Sequence, residues 1–127
     1  MHFQVPPQEH VKLVYCIEGV IFDAVVDLRR NSPTCGKFNT FTLKGDDAKL
    51  LYIPPGIAHG FLVQSESAIV LYKVSSVYSP VHDIGIHWNS AGISWPTPNP
   101  IVSARDEAFP ALSCFESPFV YNVGSSI

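Results

Sequence analysis

The chain has little positive charge and no long apolar run. Only 8 of its 127 residues are Lys or Arg, against 11 Asp or Glu, and the formal net charge is -3. Nucleic-acid surfaces need clustered positive charge, so this composition predicts no nucleic-acid partner. No apolar run approaches the roughly 20 residues of a membrane span, and the N-terminus lacks the basic-then-apolar layout of a secretory signal. We therefore expect a cytoplasmic protein with no membrane partner.

Cysteines are few, and their spacing excludes two kinds of cross-link. Cys16, Cys35 and Cys114 are odd in number, widely separated and free of any Cys-x-x-Cys pattern. This arrangement predicts neither a disulfide framework nor a zinc site. Cys16 lies within the apolar run 13–17, so we interpret it as a small core residue.

Helical periodicity is missing as well, which points to strands. The chain has 11 prolines and 8 glycines, and these separate short segments rich in β-branched and aromatic residues. Such a pattern is typical of an all-β protein, and several short strands favour a sandwich or closed barrel. The length fits a single domain over residues 1–127. The predicted strands cover residues 11–17, 20–28, 38–43, 49–53, 59–64, 68–75 and 85–88.

Local signals predict how some of these segments begin and end. Glu18-Gly19 separates the first two strands and predicts a hairpin turn. Ser103, followed by acidic residues, predicts the N-cap of a short helical turn over residues 103–108. Residues 124–127 are expected to be frayed.

The most informative stretch is Pro54-Pro55-Gly56, which follows an apolar run and precedes His59. The prolines end a strand because they lack amide donors, and Gly56 supplies the left-handed backbone angle that a tight turn often needs. We expect one corner of a small β-barrel here, with the next strand starting near His59. A histidine at such a junction is positioned at the barrel mouth to contact a ligand or a metal.

The metal alternative can be tested on the sequence. A barrel with a histidine after this kind of turn is similar to the cupin superfamily, many of which bind a divalent metal through a His-x-His pair, a Glu and a later His. Only the later histidine is present, as His59, because the earlier pair is replaced by His2-Phe3-Gln4. Glutamine is a poor ligand for a transition metal. We predict no metal and no other cofactor, and expect His10, His82 and His87 to be exposed or packed.

An ordered series of motifs extends through nearly the whole chain. The motifs are His2-Phe3-Gln4, Lys12-Leu13-Val14, Val26-Asp27-Leu28-Arg29-Arg30, Ser32-Pro33-Thr34, Ile53-Pro54-Pro55-Gly56-Ile57-Ala58-His59-Gly60-Phe61, Leu71-Tyr72-Lys73, Tyr78-Ser79-Pro80, Gly92-Ile93-Ser94-Trp95-Pro96 and Ser103 to Asp106. This series resembles one family, that of dTDP-4-dehydrorhamnose 3,5-epimerases. The resemblance implies a metal-independent, cupin-type jelly-roll barrel that is usually a homodimer. It also implies epimerisation at C3, C5 or both of a nucleotide-linked (dTDP) 4-keto-6-deoxyhexose, in deoxysugar biosynthesis of the rhamnose type.

The chemistry of this reaction assigns a task to each of the implied catalytic residues. A C4 ketone acidifies the hydrogens on C3 and C5, so epimerisation needs a base, a proton donor on the opposite face and a cation near the ketone oxygen. The resemblance implies that His2 is the base and that Asp106 orients it. It implies that Tyr72 is the acid and that Lys12 stabilises the enolate.

Four further residues are expected to contact the substrate. His59 matches the family's second pocket histidine. Asp83 stands where the family commonly has a nucleotide-contacting glutamate, and Arg105 occupies a basic position beside the carboxylate, suited to a phosphate. Gln4, in the same motif as His2, completes the implied set.

The chain departs from the family at its beginning. Family members carry about fifty residues before the equivalent of His2, which here is expected to fray unless a sheet holds it. Those residues commonly supply arginines for the phosphates and two strands that cross to the partner subunit. Two hypotheses therefore stay open: an active isomerase, and a non-catalytic cupin that binds a sugar nucleotide or carbohydrate or serves only as an assembly partner.

Overall fold

The computed structural model describes residues 1–124 as two antiparallel β-sheets packed face to face. One sheet has five strands in the order β4-β3-β6-β1-β8, and the other has three in the order β5-β2-β7. The predicted all-β fold is confirmed. Of the end predicted to fray, residues 125–127 lie outside the described part. The strands are β1 (His2–Gln4), β2 (Lys12–Glu18), β3 (Val20–Asp27), β4 (Phe38–Lys44), β5 (Leu51–Ile53), β6 (Ile57–Val63), β7 (Ile69–Val74) and β8 (Asp83–Gly85).

The predicted hairpin at Glu18-Gly19 is wrong. β2 pairs with β5 and β7, whereas β3 pairs with β4 and β6, so the chain passes from one sheet into the other at this point. A bulge between Cys16 and Glu18 precedes the corner, and Gly19 adopts a φ of 86°. A Cβ at Gly19 would lie 2.3 Å from the Ser67 carbonyl oxygen, so the corner requires glycine.

The Pro54-Pro55-Gly56 turn is a barrel corner, as predicted, because β5 belongs to the three-stranded sheet and β6 to the five-stranded sheet. Gly56 has the expected left-handed backbone, with a φ of 88°. The predicted strand boundary is wrong, however. Pairing with β3 already begins at Ile57, so His59 lies inside β6 and is only 4% exposed.

The predictions for β1 and β8, which are neighbours in the five-stranded sheet, were also wrong. β1 was not predicted, although it lies inside the five-stranded sheet between β6 and β8. β8 covers Asp83–Gly85 rather than residues 85–88. Because β1 pairs with a neighbour on each side, His2 is held in a sheet.

Two apolar clusters bury both faces of the five-stranded sheet. The cluster between the sheets includes Val14 and Ile21, each 0% exposed, and Cys16, which is a core residue as predicted. The cluster on the other face joins Val26 to Ile86 and to other residues of the C-terminal segment. Among residues 1–124, the three-stranded sheet contributes buried side chains only to the cluster between the sheets.

The C-terminal segment lies against the five-stranded sheet and carries the predicted helical turn, α1 (Ala104–Glu107). Ser103 is its N-cap, and its hydroxyl accepts a hydrogen bond from the Asp106 amide at 3.1 Å. A 3-10 turn at Leu112–Cys114 was not anticipated. Within residues 1–124 no helix is long and apolar enough to cross a membrane.

The end of β3 is fixed by one buried carboxylate. Asp27 Oδ1 accepts from the Arg29 amide and Nε at 2.9 Å each, and Oδ2 accepts from Arg29 Nη2 at 3.0 Å. The Ser32 and Thr34 hydroxyls donate to Oδ2 at 2.6 Å. These donors outweigh the cost of burial and hold the pKa of Asp27 well below its usual range. The carboxylate therefore organises the loop before β4.

We expect Asp27→Asn to destabilise the fold by about 3 kcal/mol at pH 7, because it removes the negative charge beside Arg29 and replaces one acceptor oxygen by an amide NH2 group that faces donors. A carboxyl with a depressed folded pKa stabilises the protein above its unfolded pKa of about 3.9 and loses that contribution as the pH falls further. Urea unfolding should therefore show that the difference in the free energy of unfolding between wild type and variant becomes smaller below about pH 4. Asp46→Asn, in an exposed turn, is the matched control. If that difference in the free energy of unfolding stayed constant down to pH 2, this account would be wrong.

Candidate functional site

A cavity of about 540 Å³ opens between the two sheets and gathers most of the predicted site residues. All four predicted catalytic residues line it: His2, Lys12, Tyr72 and Asp106. Of the predicted substrate contacts, His59, Asp83 and Gln4 line the cavity, whereas Arg105 does not. The topology thus brings together residues that lie up to 104 positions apart in the sequence.

His2 and Asp106 form a hydrogen-bonded pair. β1 holds His2 opposite His59 on one side and Gly85 on the other, and the N-cap at Ser103 places Asp106 in the α1 turn. His2 Nε2 lies 2.5 Å from Asp106 Oδ1. When Nε2 carries the proton and donates it to the carboxylate, Nδ1 keeps a free lone pair. The pair therefore presents a base.

The surroundings keep that base neutral. Burial lowers the pKa of His2, the positive amino terminus lowers it further, and Asp106 opposes both. The Phe109 ring also packs against His2 in a T-shaped arrangement, with 5.3 Å between ring centroids. A histidine with a lowered pKa is unprotonated at neutral pH and can accept a proton.

A second histidine–carboxylate pair is more deeply buried, and its carboxylate, Asp23, was not among the predicted site residues. His59 Nε2 lies 2.7 Å from Asp23 Oδ2, and both side chains are buried. The other carboxylate oxygen, Oδ1, is buried and has no hydrogen-bond partner within residues 1–124. The sequence did offer a signal for Asp23. It is the only charged residue in the apolar segment 20–26, and strand alternation places it on the same face as Ile21 and Val25.

Lys12 and Tyr72 approach the cavity from the other sheet. Tyr72 pairs with Val14, and Lys12 pairs with Val74, so both side chains stand on the inner face. Lys12 Nζ lies 5.3 Å from the centre of the Tyr72 ring. Burial lowers the pKa of Lys12, while Asp83 and Asp23 oppose the shift. Tyr72 remains 55% exposed, so its phenol is accessible from the cavity.

Asp83 and Arg105 contact each other. Arg105 Nη2 donates to Asp83 Oδ2 at 3.0 Å and to the Asp83 carbonyl at 2.6 Å. This pair ties α1 to β8 and so helps to place Asp106 beside His2. On the other side of α1, Glu107 accepts from His87 Nε2 at 3.1 Å and from Trp88 Nε1 at 3.3 Å.

Gln4 is engaged with its own chain. Its side chain is 2% exposed, and Nε2 donates to the Gln8 carbonyl at 2.7 Å. Its Oε1 accepts from the Ser79 amide at 2.9 Å. A substrate contact through Gln4 stays a prediction, as do the roles of Asp83 and Arg105.

No group of three or more His, Cys, Asp or Glu side chains within residues 1–124 is arranged to hold a metal ion. The two antiparallel sheets and the cavity between them define a cupin-type barrel whose cavity is lined by the His2–Asp106 pair, Lys12 and Tyr72. A family model described as dTDP-4-dehydrorhamnose 3,5-epimerase matches residues 1–113. The chain belongs to this family.

Individual relatives agree with this assignment. The dTDP-4-dehydrorhamnose 3,5-epimerase of Shigella flexneri is 42% identical over 108 residues, which are 84% of this chain and 60% of that protein. The Legionella pneumophila dTDP-6-deoxy-D-glucose-3,5-epimerase, solved with dTDP-4-keto-L-rhamnose, superposes with a TM-score of 0.89 at 33% identity and covers 95% of this chain and 66% of that one.

A further solved structure is the Bacillus anthracis dTDP-4-dehydrorhamnose 3,5-epimerase with TDP and pyrophosphate bound. It gives a TM-score of 0.84 at 40% identity, over 87% of this chain and 64% of that one. The chain spans about 60% of the length of the Shigella relative.

Asp106→Asn should lower the pKa of His2 further, because the carboxylate is the main group that opposes the effect of burial. An NMR titration of the His2 Cε1 proton would measure this change. Glu116→Gln removes an exposed carboxylate elsewhere and should leave the pKa of His2 unchanged. An unchanged or higher pKa in Asp106→Asn would show that the pair does not form.

Proposed function

We propose that the chain epimerises a dTDP-linked 4-keto-6-deoxyhexose at C3, C5 or both, in deoxysugar biosynthesis. The observation that carries this proposal is the placement of two proton-transfer groups on opposite sheets of one cavity. His2 belongs to the five-stranded sheet and Tyr72 to the three-stranded sheet, and both line the same space. Inverting a carbon needs a base on one face and an acid on the other.

In the first step His2 Nδ1 takes the proton from the carbon beside the C4 ketone. The C–H electron pair moves into a new carbon–carbon double bond, and the carbonyl oxygen becomes an enolate oxygen. Asp106 stabilises the imidazolium that forms, through the hydrogen bond to Nε2. Lys12 lies on the cavity wall, where its ammonium stabilises the enolate oxygen.

In the second step the Tyr72 hydroxyl donates its proton to the same carbon from the opposite face, and the ketone is restored. A phenol holds its proton at neutral pH, so it is available at this stage. His2 returns its proton to solvent, and Tyr72 regains one. No electrons are gained or lost, so the substrate and product are isomers.

Substrate binding is assigned to the remaining residues. We propose that His59, held by Asp23, contacts the sugar, and that Asp83 and Gln4 line the path of the nucleotide. Arg105 stands outside the cavity and is half exposed, which suits contact with a phosphate near the cavity edge. Support comes from the Legionella structure, which holds dTDP-4-keto-L-rhamnose.

A non-catalytic binding protein is the second candidate. It is favoured by the 55% exposure of Tyr72, because catalysis needs an acid that is held firmly in place. Both candidates bind a sugar nucleotide, but only the enzyme exchanges the hydrogens next to the ketone with solvent.

Incubation with dTDP-4-keto-6-deoxyglucose in deuterated water distinguishes the two. We expect deuterium at C3, C5 or both, measured by mass spectrometry and proton NMR. His2→Asn should reduce incorporation by at least about a hundredfold, the typical contribution of a general base. Tyr72→Phe should reduce product formation while solvent exchange through His2 persists at one face of the carbon.

Tyr52→Phe is the matched control for the phenol, because Tyr52 stands on the opposite face of the same sheet. It should leave exchange unchanged. Binding of the sugar nucleotide without any deuterium incorporation would leave the non-catalytic candidate standing and overturn the enzyme.

We also propose that the chain forms a homodimer through the outer face of the three-stranded sheet, which we define as Leu13, Tyr15, Ile17, Tyr52, Ile69 and Leu71. Strand alternation places these side chains away from the core, and Ile17, Tyr52, Ile69 and Leu71 are 48, 44, 50 and 37% exposed. An uncovered apolar sheet face favours pairing with another protein surface.

Leu71→Glu should weaken the dimer at least about tenfold, because it places a charge at an apolar interface. Sedimentation equilibrium measures the dissociation constant. Val81→Glu is the control, since Val81 is 84% exposed in the loop between β7 and β8. A monomeric wild type, or a variant that dimerises equally well, would exclude this interface.

We propose a cytoplasmic location as well. Its support is that Cys16, Cys35 and Cys114 are free and that the last two are exposed. Exposed thiols persist in reducing compartments.

A further inference from the structure

His10 is a third histidine on the cavity wall, and neither step of the proposed reaction uses it. It lies two residues before Lys12 and lines the same cavity as Lys12 and Tyr78. Its ring is half-buried. The sequence predicted only that His10 is exposed or packed.

The hydrogen bonds around Ser76 favour one tautomer of His10. Ser76 Oγ donates to the Gln8 carbonyl at 3.1 Å and accepts from Gln4 Nε2 at 3.4 Å. Its contact with His10 Nδ1, at 3.3 Å, is longer than its contact with the carbonyl. With the single Ser76 proton on the shorter contact, His10 Nδ1 donates to Ser76, and the proton of a neutral ring is on Nδ1.

That tautomer leaves Nε2 with a free lone pair. Nε2 has no hydrogen-bond partner within residues 1–124, whereas Nδ1 is held by Ser76, which does not line the cavity. The edge of the ring that carries Nε2 is therefore the edge left for the cavity. Burial and the positive charge of Lys12 lower the pKa of His10, and Asp83 opposes them, so the ring is neutral at neutral pH.

We propose that His10 is a specificity-determining residue whose bare Nε2 accepts a hydrogen bond from a hydroxyl of the bound sugar. A lone pair can be satisfied only by a donor. The sugar ring of a nucleotide sugar carries hydroxyl donors, whereas its ionised phosphates only accept. Lys12 beside it is a donor, so the two residues recognise opposite kinds of group. The inference rests on the proposed substrate class and does not depend on catalysis.

Two substitutions separate the two ring nitrogens. The amide of asparagine occupies the place of Nδ1, so His10→Asn keeps the contact with Ser76 and removes the acceptor. The amide of glutamine reaches the place of Nε2, so His10→Gln keeps an acceptor in the cavity. Calorimetric titration with dTDP-glucose and with dTDP compares binding with and without the sugar, and neither probe has the ketone that the reaction needs.

We expect His10→Asn to weaken dTDP-glucose about fivefold, the value of one neutral hydrogen bond, and to leave dTDP unchanged. His10→Gln should bind both probes within about twofold of wild type. Equal affinities for dTDP-glucose in all three proteins would overturn the proposal, as would equal losses for dTDP and dTDP-glucose in His10→Asn. A wild type that binds neither probe would overturn it too.

An independent readout is the long-range proton–nitrogen NMR spectrum of the free protein, with His10 assigned from its loss in His10→Asn. A protonated Nδ1 and a bare Nε2 are expected at pH 7.5, and the reverse tautomer would overturn the proposal. If the wild type binds dTDP-glucose but exchanges no deuterium with the ketone substrate, the proposed catalysis fails. The affinities of the His10 variants for dTDP-glucose and dTDP, relative to wild type, then still decide the role of His10.

Discussion

The site depends on the pairing of β1, a strand of only three residues, with a neighbour on each side. β6 sets His2 opposite His59, and β8 sets it opposite Gly85. These ladders turn a segment that would fray on its own into a fixed part of the sheet. The proposed proton abstraction needs a base held to within a fraction of an ångström, and the main-chain hydrogen bonds of β1 hold His2 in place.

Charged and ionisable groups of both signs surround the cavity. A carboxylate supports each of the two dyad histidines: Asp23 is buried and Asp106 is half-buried, and the half-buried Lys12 belongs to the other sheet. Burial lowers the pKa of His2 and of Lys12, and carboxylates on the cavity wall oppose both shifts. In the proposed reaction these groups, which are already in place, would stabilise the charge that develops on the substrate.

The sequence allowed most strands and the barrel corner at Pro54-Pro55-Gly56 to be predicted, because turn chemistry and alternation are local. It could not show that Gly19 is a corner between sheets, since a hairpin and a corner share the same local signal. β1 was missed because three residues give no measurable period. The sheet assignment of a strand is a property of the tertiary structure.

The residues of the site also divide into those that the sequence predicts and those that only the structure shows. The resemblance to a family named His2, Lys12, Tyr72 and Asp106, and the structure places them on one cavity. It did not name Asp23, whose partner lies 36 residues away in the next strand of the sheet. The mutual contact of Asp83 and Arg105 was also hidden, because each had been considered only as a ligand contact.

Gly85 leaves room beside His2 because it has no side chain. It faces His2 across the sheet, and a Cβ there would lie 2.5 Å from a carbon of the Phe109 ring and 2.5 Å from the Met1 carbonyl oxygen. The Phe109 ring, which packs against His2, occupies this space. Because glycine has no Cβ, Phe109 can pack against the His2 imidazole, and this contact helps to set the orientation of the ring.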